Sequence, residues 1–169
     1  MSVLPIEAID DRSSRFNSPP APFSPDHPRL MDALIRIHLV AAWSGILLGV
    51  ISGAALGLFF HREDWWGGYA SHRRRLARLG HISFFGLGLL NLAFALTLPH
   101  AGSAGWALRV AGAGFLTGAA AMPLCCFLTA WRAGWRVLFP LPVLSTATGI
   151  VLLLILLLRS SPKPDVIPF

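Results

Sequence analysis

Read for alternation of apolar and polar positions, the chain resolves into four long apolar runs separated by short polar segments. The charge-free stretch Ile37–Phe60 is followed by Leu79–Leu98, Val110–Trp131 and Val137–Leu158. A bilayer core about 30 Å thick needs about 20 helical residues at 1.5 Å each, and every run meets that length. Strands do not fit, because a sheet edge in lipid leaves backbone groups unpaired. The expected fold is an all-α integral membrane protein, an up-down four-transmembrane-helix bundle spanning residues 32–159. Its spans fall at about 34–60, 79–98, 107–131 and 137–158. Residues 1–31 and 160–169 read as disordered proline-rich tails. Pro19, Pro22, Pro25 and Pro28 repeat every three residues, the period of polyproline II.

Composition strengthens this picture. Of 169 residues, 54% are hydrophobic and 13% charged, against about 25% charged in a soluble domain, and mean hydropathy is +0.62. Five of the six tryptophans, Trp65, Trp66, Trp106, Trp131 and Trp135, fall at expected span ends, where amphipathic rings favour the headgroup level. Only Trp43 lies within a span. The absence of an apolar h-region near the start predicts that the first span acts as its own uncleaved insertion signal. Cys125 and Cys126, adjacent in an apolar run, offer neither a disulfide framework nor zinc spacing and read as small core residues.

The net charge of +6 sits beside apolar runs, which points to anionic lipid headgroups and not to nucleic acid. Arg73, Arg74, Arg75 and Arg78 are the candidate headgroup or partner contacts. With Arg62, Arg132 and Arg136 they make one set of loops the more basic, so the positive-inside rule predicts cytoplasmic basic loops, both termini outside, and a bacterial-type inner membrane.

Packing signals are strong. Gly45, Gly49, Gly53 and Gly57 recur every four residues, forming a glycine-zipper ridge on one helix face, and Gly114 and Gly118 repeat the spacing in the third span. Pro123 is expected to bend that span. Asn91, an amide in mid-span, needs a partner across a helix interface. His81, Phe84, Gly88, Asn91 and Ala95 follow one helix seam.

Chemistry-bearing residues are few. No Asp or Glu lies in a span, which argues against proton-coupled transport and carboxylate catalysis. No catalytic residues and no metal-ligand set are assigned, and the chain reads as a non-enzyme. The histidines remain: His61 and His81 near the basic end of the first hairpin, His38 and His100 near the other, one potential pair at each surface. The segment Arg78–Gly88 resembles haem-bearing helices of respiratory oxidase subunits. That resemblance implies haem b held by axial histidines, in a small b-type electron-transfer protein. Hydrogen bonding to backbone or headgroups is the competing account of the same histidines. The favoured reading is a non-enzymatic subunit or assembly factor of a larger, respiratory or redox, membrane complex, with other membrane-protein subunits as partners. A small-solute carrier using Asn91 and Pro123 is a further alternative.

Overall fold

The computed structural model describes residues 26–101 and 105–160, and all secondary structure among them is helical. Both proline-rich tails, up to residue 25 and from residue 161, lie outside the described residues. Four α-helices run Asp26–Leu58 (α1), His72–Thr97 (α2), Gly105–Trp131 (α3) and Pro140–Arg159 (α4). Each carries a segment long and apolar enough to cross a membrane. Short 3-10 turns at Trp65–Gly67, Leu98–His100 and Ala133–Leu138 lie in the connections.

The helices outrun the apolar runs. α1 begins at Asp26, inside the segment read as tail, and α2 begins at His72, a full two turns before Leu79. Polar residues do not end a helix when nothing breaks it. The start of α2 is set by Ser71, whose extended backbone and hydroxyl, accepting from Arg74 N–H at 3.3 Å, form an N-cap. The arginines at 73–75 and 78 therefore stand on the first turns of a helix.

Each helix packs on its sequence neighbour, α1 on α2, α2 on α3, α3 on α4, and α1 also touches α3. Contact between α1 and α4 is marginal at most. The order is a folded row with α1 and α4 on its flanks, not a ring of four equal neighbours. Two open apolar grooves of about 460 Å³ result. One runs between α1 and α3 over Phe84 and Gly88 of α2; the other runs between α2 and α4 over Met122 of α3. Bulky apolar side chains of α4 such as Leu144, Ile150 and Leu154 point outward, as suits a lipid environment.

Close backbone approach joins the row. A methyl group built on Gly45 would lie 3.1 Å from the carbonyl oxygen of Phe84, and one on Gly88 3.1 Å from that of Ala42. Likewise, one on Gly114 would meet the carbonyl of Ser145 at 2.5 Å, and one on Gly149 that of Ala111 at 2.9 Å. Gly118 faces the Thr146 hydroxyl. Any larger residue at Gly45 or Gly114 separates a helix pair. α3 is the most enclosed helix, burying Leu108, Ala111, Phe115, Cys125, Cys126 and Ala130. It runs through Pro123, which is itself buried.

Candidate functional site

Two polar constellations stand out, one deep in the helix row and one at its basic end. The deep one joins three helices. His38 of α1, fully buried, places Nδ1 2.7 Å from Oδ1 of Asn91 on α2. The Asn91 amide nitrogen donates to the Leu87 carbonyl at 2.9 Å and, at 3.4 Å, to the Phe115 carbonyl of α3. Because Oδ1 can only accept, Nδ1 of His38 carries the hydrogen and Nε2 is the lone-pair nitrogen. Nε2 has no hydrogen-bond partner. It faces the bare α-carbon of Gly112, where a methyl group would come within 2.8 Å, while Phe94 meets the ring edge-on at 4.5 Å between centroids.

His81 stands at a different level. Its Nδ1 lies 3.1 Å from the hydroxyl of Ser52, and its ring lies on Gly53, where a methyl group would meet Cε1 at 2.6 Å. About 14 residues of α1, or about 21 Å of helix, separate this level from His38. His61 and His100 are exposed beyond the α-helices. The expected pairs at the two surfaces are therefore replaced in the hydrogen-bond pattern by His38 with Asn91 and His81 with Ser52. On Nε2 of His38, seated against Gly112, there is no room for an iron and its macrocycle. Among the described residues no group of three or more His, Cys, Asp or Glu side chains is placed to hold a metal ion.

The ridge glycines meet different surroundings. Gly45 touches backbone, Gly49 lies under the Phe85 ring, Gly53 under His81, and Gly57 has nothing within 4 Å of where a methyl group would stand.

At the basic end, Arg73, Arg74, Arg75 and Arg78 separate into two classes. Arg73 and Arg75 are exposed, whereas Arg74 is 3% exposed and Arg78 half-buried. Helical spacing places 74 and 78 on one face, the same face that continues through Ala77 and His81. Arg74 Nη2 donates to the Arg62 carbonyl at 2.6 Å and reaches toward that of Phe59 at 3.5 Å, tying the α1–α2 connection to α2. Its guanidinium lies over Trp65 and Tyr69, at 5.5 and 5.6 Å from the ring centroids. Arg78 lies over Tyr69 at 4.5 Å and Phe60 at 5.8 Å. Trp65 in turn stacks between Phe59 and Trp66. Trp66 adopts a left-handed backbone, φ 56°, and its carbonyl accepts from the Ser71 hydroxyl at 2.7 Å.

These groups surround a cavity of about 360 Å³ between the end of α1 and the start of α2. Gly53, Leu56 and Gly57 of α1 and Phe60 just beyond it line one side, Arg74, Arg78, His81 and Ile82 of α2 the other, and Trp65 of the connection the end. No carboxylate lines it. Arg74 Nη1 is buried without a hydrogen-bond partner.

The sequence flagged the four arginines as one cluster, and the 74/78 pairing was within reach of the 3–4 spacing that already marked His81 and Gly88. Ser52 and Tyr69 carried no signal, because their role depends on the connection between α1 and α2 folding back. The chain matches no protein-family model, and no curated protein or solved structure is significantly similar to it.

Proposed function

We propose that this chain is a multi-pass, non-enzymatic subunit or assembly factor of a larger membrane complex, inserted with its basic loops in the cytoplasm and its α1 face against a partner helix. The observation that carries the reading is Trp43. It lies at the middle of α1, and its side chain is 64% exposed. A tryptophan normally sits at the headgroup level, where its N–H finds water or lipid oxygen. Seven residues past Arg36, about 10 Å into the apolar run, that N–H meets hydrocarbon, whereas a polar side chain of a partner supplies an acceptor. Val40, Trp43, Leu47 and Val50, all exposed, alternate at spacings of three and four, the seam pattern of a left-handed helix pair. Large aromatics are enriched at the cores of protein interfaces.

Support also comes from the interior. His38 and Asn91 bond one another, and their placement holds α1, α2 and α3 together instead of presenting a reactive group to a substrate.

The test is site-specific photocrosslinking in native membranes. A photoreactive residue at position 43 is expected to give a discrete adduct with one other membrane protein. The same residue at position 154, on the exposed face of α4, is expected to give lipid adducts. Lipid adducts alone at both positions, together with a monomer mass after mild solubilisation, overturn the proposal.

A further inference from the structure

The cavity at the basic end has the chemistry of a binding site that the structural reading above does not use. Arg74 is almost wholly buried, yet one of its terminal nitrogens, Nη1, has no acceptor. A buried, unpaired guanidinium N–H is costly, and its natural complement is an anion. The other hydrogen bonds of Arg74 go to main-chain carbonyls, which neutralise no charge. Arg78 adds a second guanidinium on the same wall, and no carboxylate answers either of them within the cavity. Aromatic faces at Trp65, Tyr69 and Phe60 fix both planes, so the donors are oriented before anything binds.

The α1 side of the cavity is apolar and is open at Gly57. Gly57 opens on free space, and Gly53, Leu56 and Ile82 continue the surface toward the middle of the span. Charge at the mouth and an apolar trough beneath it describe an amphiphile. The position agrees: the last turns of α1 and the first turns of α2 fall where headgroups lie if these helices cross a membrane.

We propose that this cavity binds one phosphate-bearing amphiphile of net negative charge, its anion held by Arg74 and Arg78 and its chain laid along Gly57 and Leu56. Arginine forks match phosphate oxygens bidentately, which favours phosphate over a lone carboxylate. Arg73 and Arg75 attract anionic surfaces without specificity; Arg74 and Arg78 select one molecule.

Native mass spectrometry of the full chain, solubilised in mild detergent with added lipid, tests this. Phosphatidylglycerol and phosphatidylcholine of identical acyl chains are the probes. One phosphatidylglycerol is expected to be retained in preference to phosphatidylcholine. Gly57→Leu, whose β-carbon meets no neighbour, places a side chain in the trough and is expected to lower retention about tenfold, as is Arg78→Gln through the loss of a charge-assisted contact. Arg73→Gln combined with Arg75→Gln removes more charge and is expected to leave retention unchanged. Millimolar inorganic phosphate separates the two sources of the anion. Displacement of the lipid shows that the phosphate group alone occupies the site, and persistence of the lipid shows that the chain contributes. Equal retention of the two lipids overturns the proposal. So does an Arg73/Arg75 variant that loses as much as Gly57→Leu while that variant keeps its helical circular dichroism.

Discussion

His38 and Asn91 form a buried hydrogen bond of 2.7 Å between α1 and α2, and the same amide reaches the carbonyl of Phe115 on α3. One side chain thus links three helices inside the protein, where water does not compete. Interhelical polar contacts in membranes contribute about 0.6 kcal/mol on average and up to about 1.7. Asn91→Leu leaves the Nδ1 hydrogen of His38 without an acceptor and is expected to cost more than that, about 1–3 kcal/mol. His38→Leu together with Asn91→Leu removes both partners and is expected to recover part of the loss. A double-mutant cycle read by thermal unfolding in detergent checks this; strictly additive losses would refute the pairing.

The glycines of α1 are expected to be unequal. Gly45→Ala pushes a methyl group against the Phe84 carbonyl, which cannot move without shifting α2, and an overpacking cost of about 1–3 kcal/mol is expected. At Gly49 the obstacle is the far edge of the Phe85 ring, which can swing, so Gly49→Ala should cost less. Gly57→Ala meets nothing and should be neutral or slightly stabilising, as alanine is the better helix former. Unfolding midpoints of the three variants in one detergent give the order, and equal midpoints would contradict it.

Ser71 serves twice, capping α2 through Arg74 N–H and donating to the Trp66 carbonyl. Ser71→Ala is expected to cost about 1 kcal/mol, the usual loss for an N-cap. Hydrogen exchange of the first α2 turn should quicken before the rest of the helix responds. Unchanged exchange there would show that the cap contributes nothing.

Orientation is open to a direct check. With Cys125 and Cys126 replaced by alanine, Ala70→Cys and His100→Cys place thiols at exposed positions on opposite ends of the helix row. If the arginine-rich end is cytoplasmic, an impermeant thiol reagent on intact cells should label position 100 and spare position 70. The reverse pattern would invert the topology.

The four helices were legible from apolar length alone, since each run is long enough to form a helix of about 20 residues with no charge to interrupt it. Their ends were not. Arginines at 73–75 read as loop, but Ser71 starts a helix beneath them and the charge rides on its first turns. Asn91 was legible as a residue in need of a partner; that the partner is His38 was not, because pairing across helices depends on relative rotation and depth. Similarly, the spacing at Gly45 and Gly49 announced close contact, yet backbone meets one and a phenyl ring the other. The cavity at Arg74 was the least legible feature. It exists because the chain from Phe59 to Ser71 turns back and stacks its aromatics on two guanidinium groups, which no periodicity encodes.

The order of packing bears on how such a chain is made. Each helix rests mainly on the one synthesised just before it, and the single skip, α1 to α3, looks backward as well. A helix leaving the ribosome therefore finds a docking surface already made. Only the face of the row closed by Leu152, Leu153 and Leu156 waits for α4, the last helix made. Such a molecule matures stepwise from its first hairpin, with short loops to close and few distant encounters to search for, the regime in which chains fold fast and stray least.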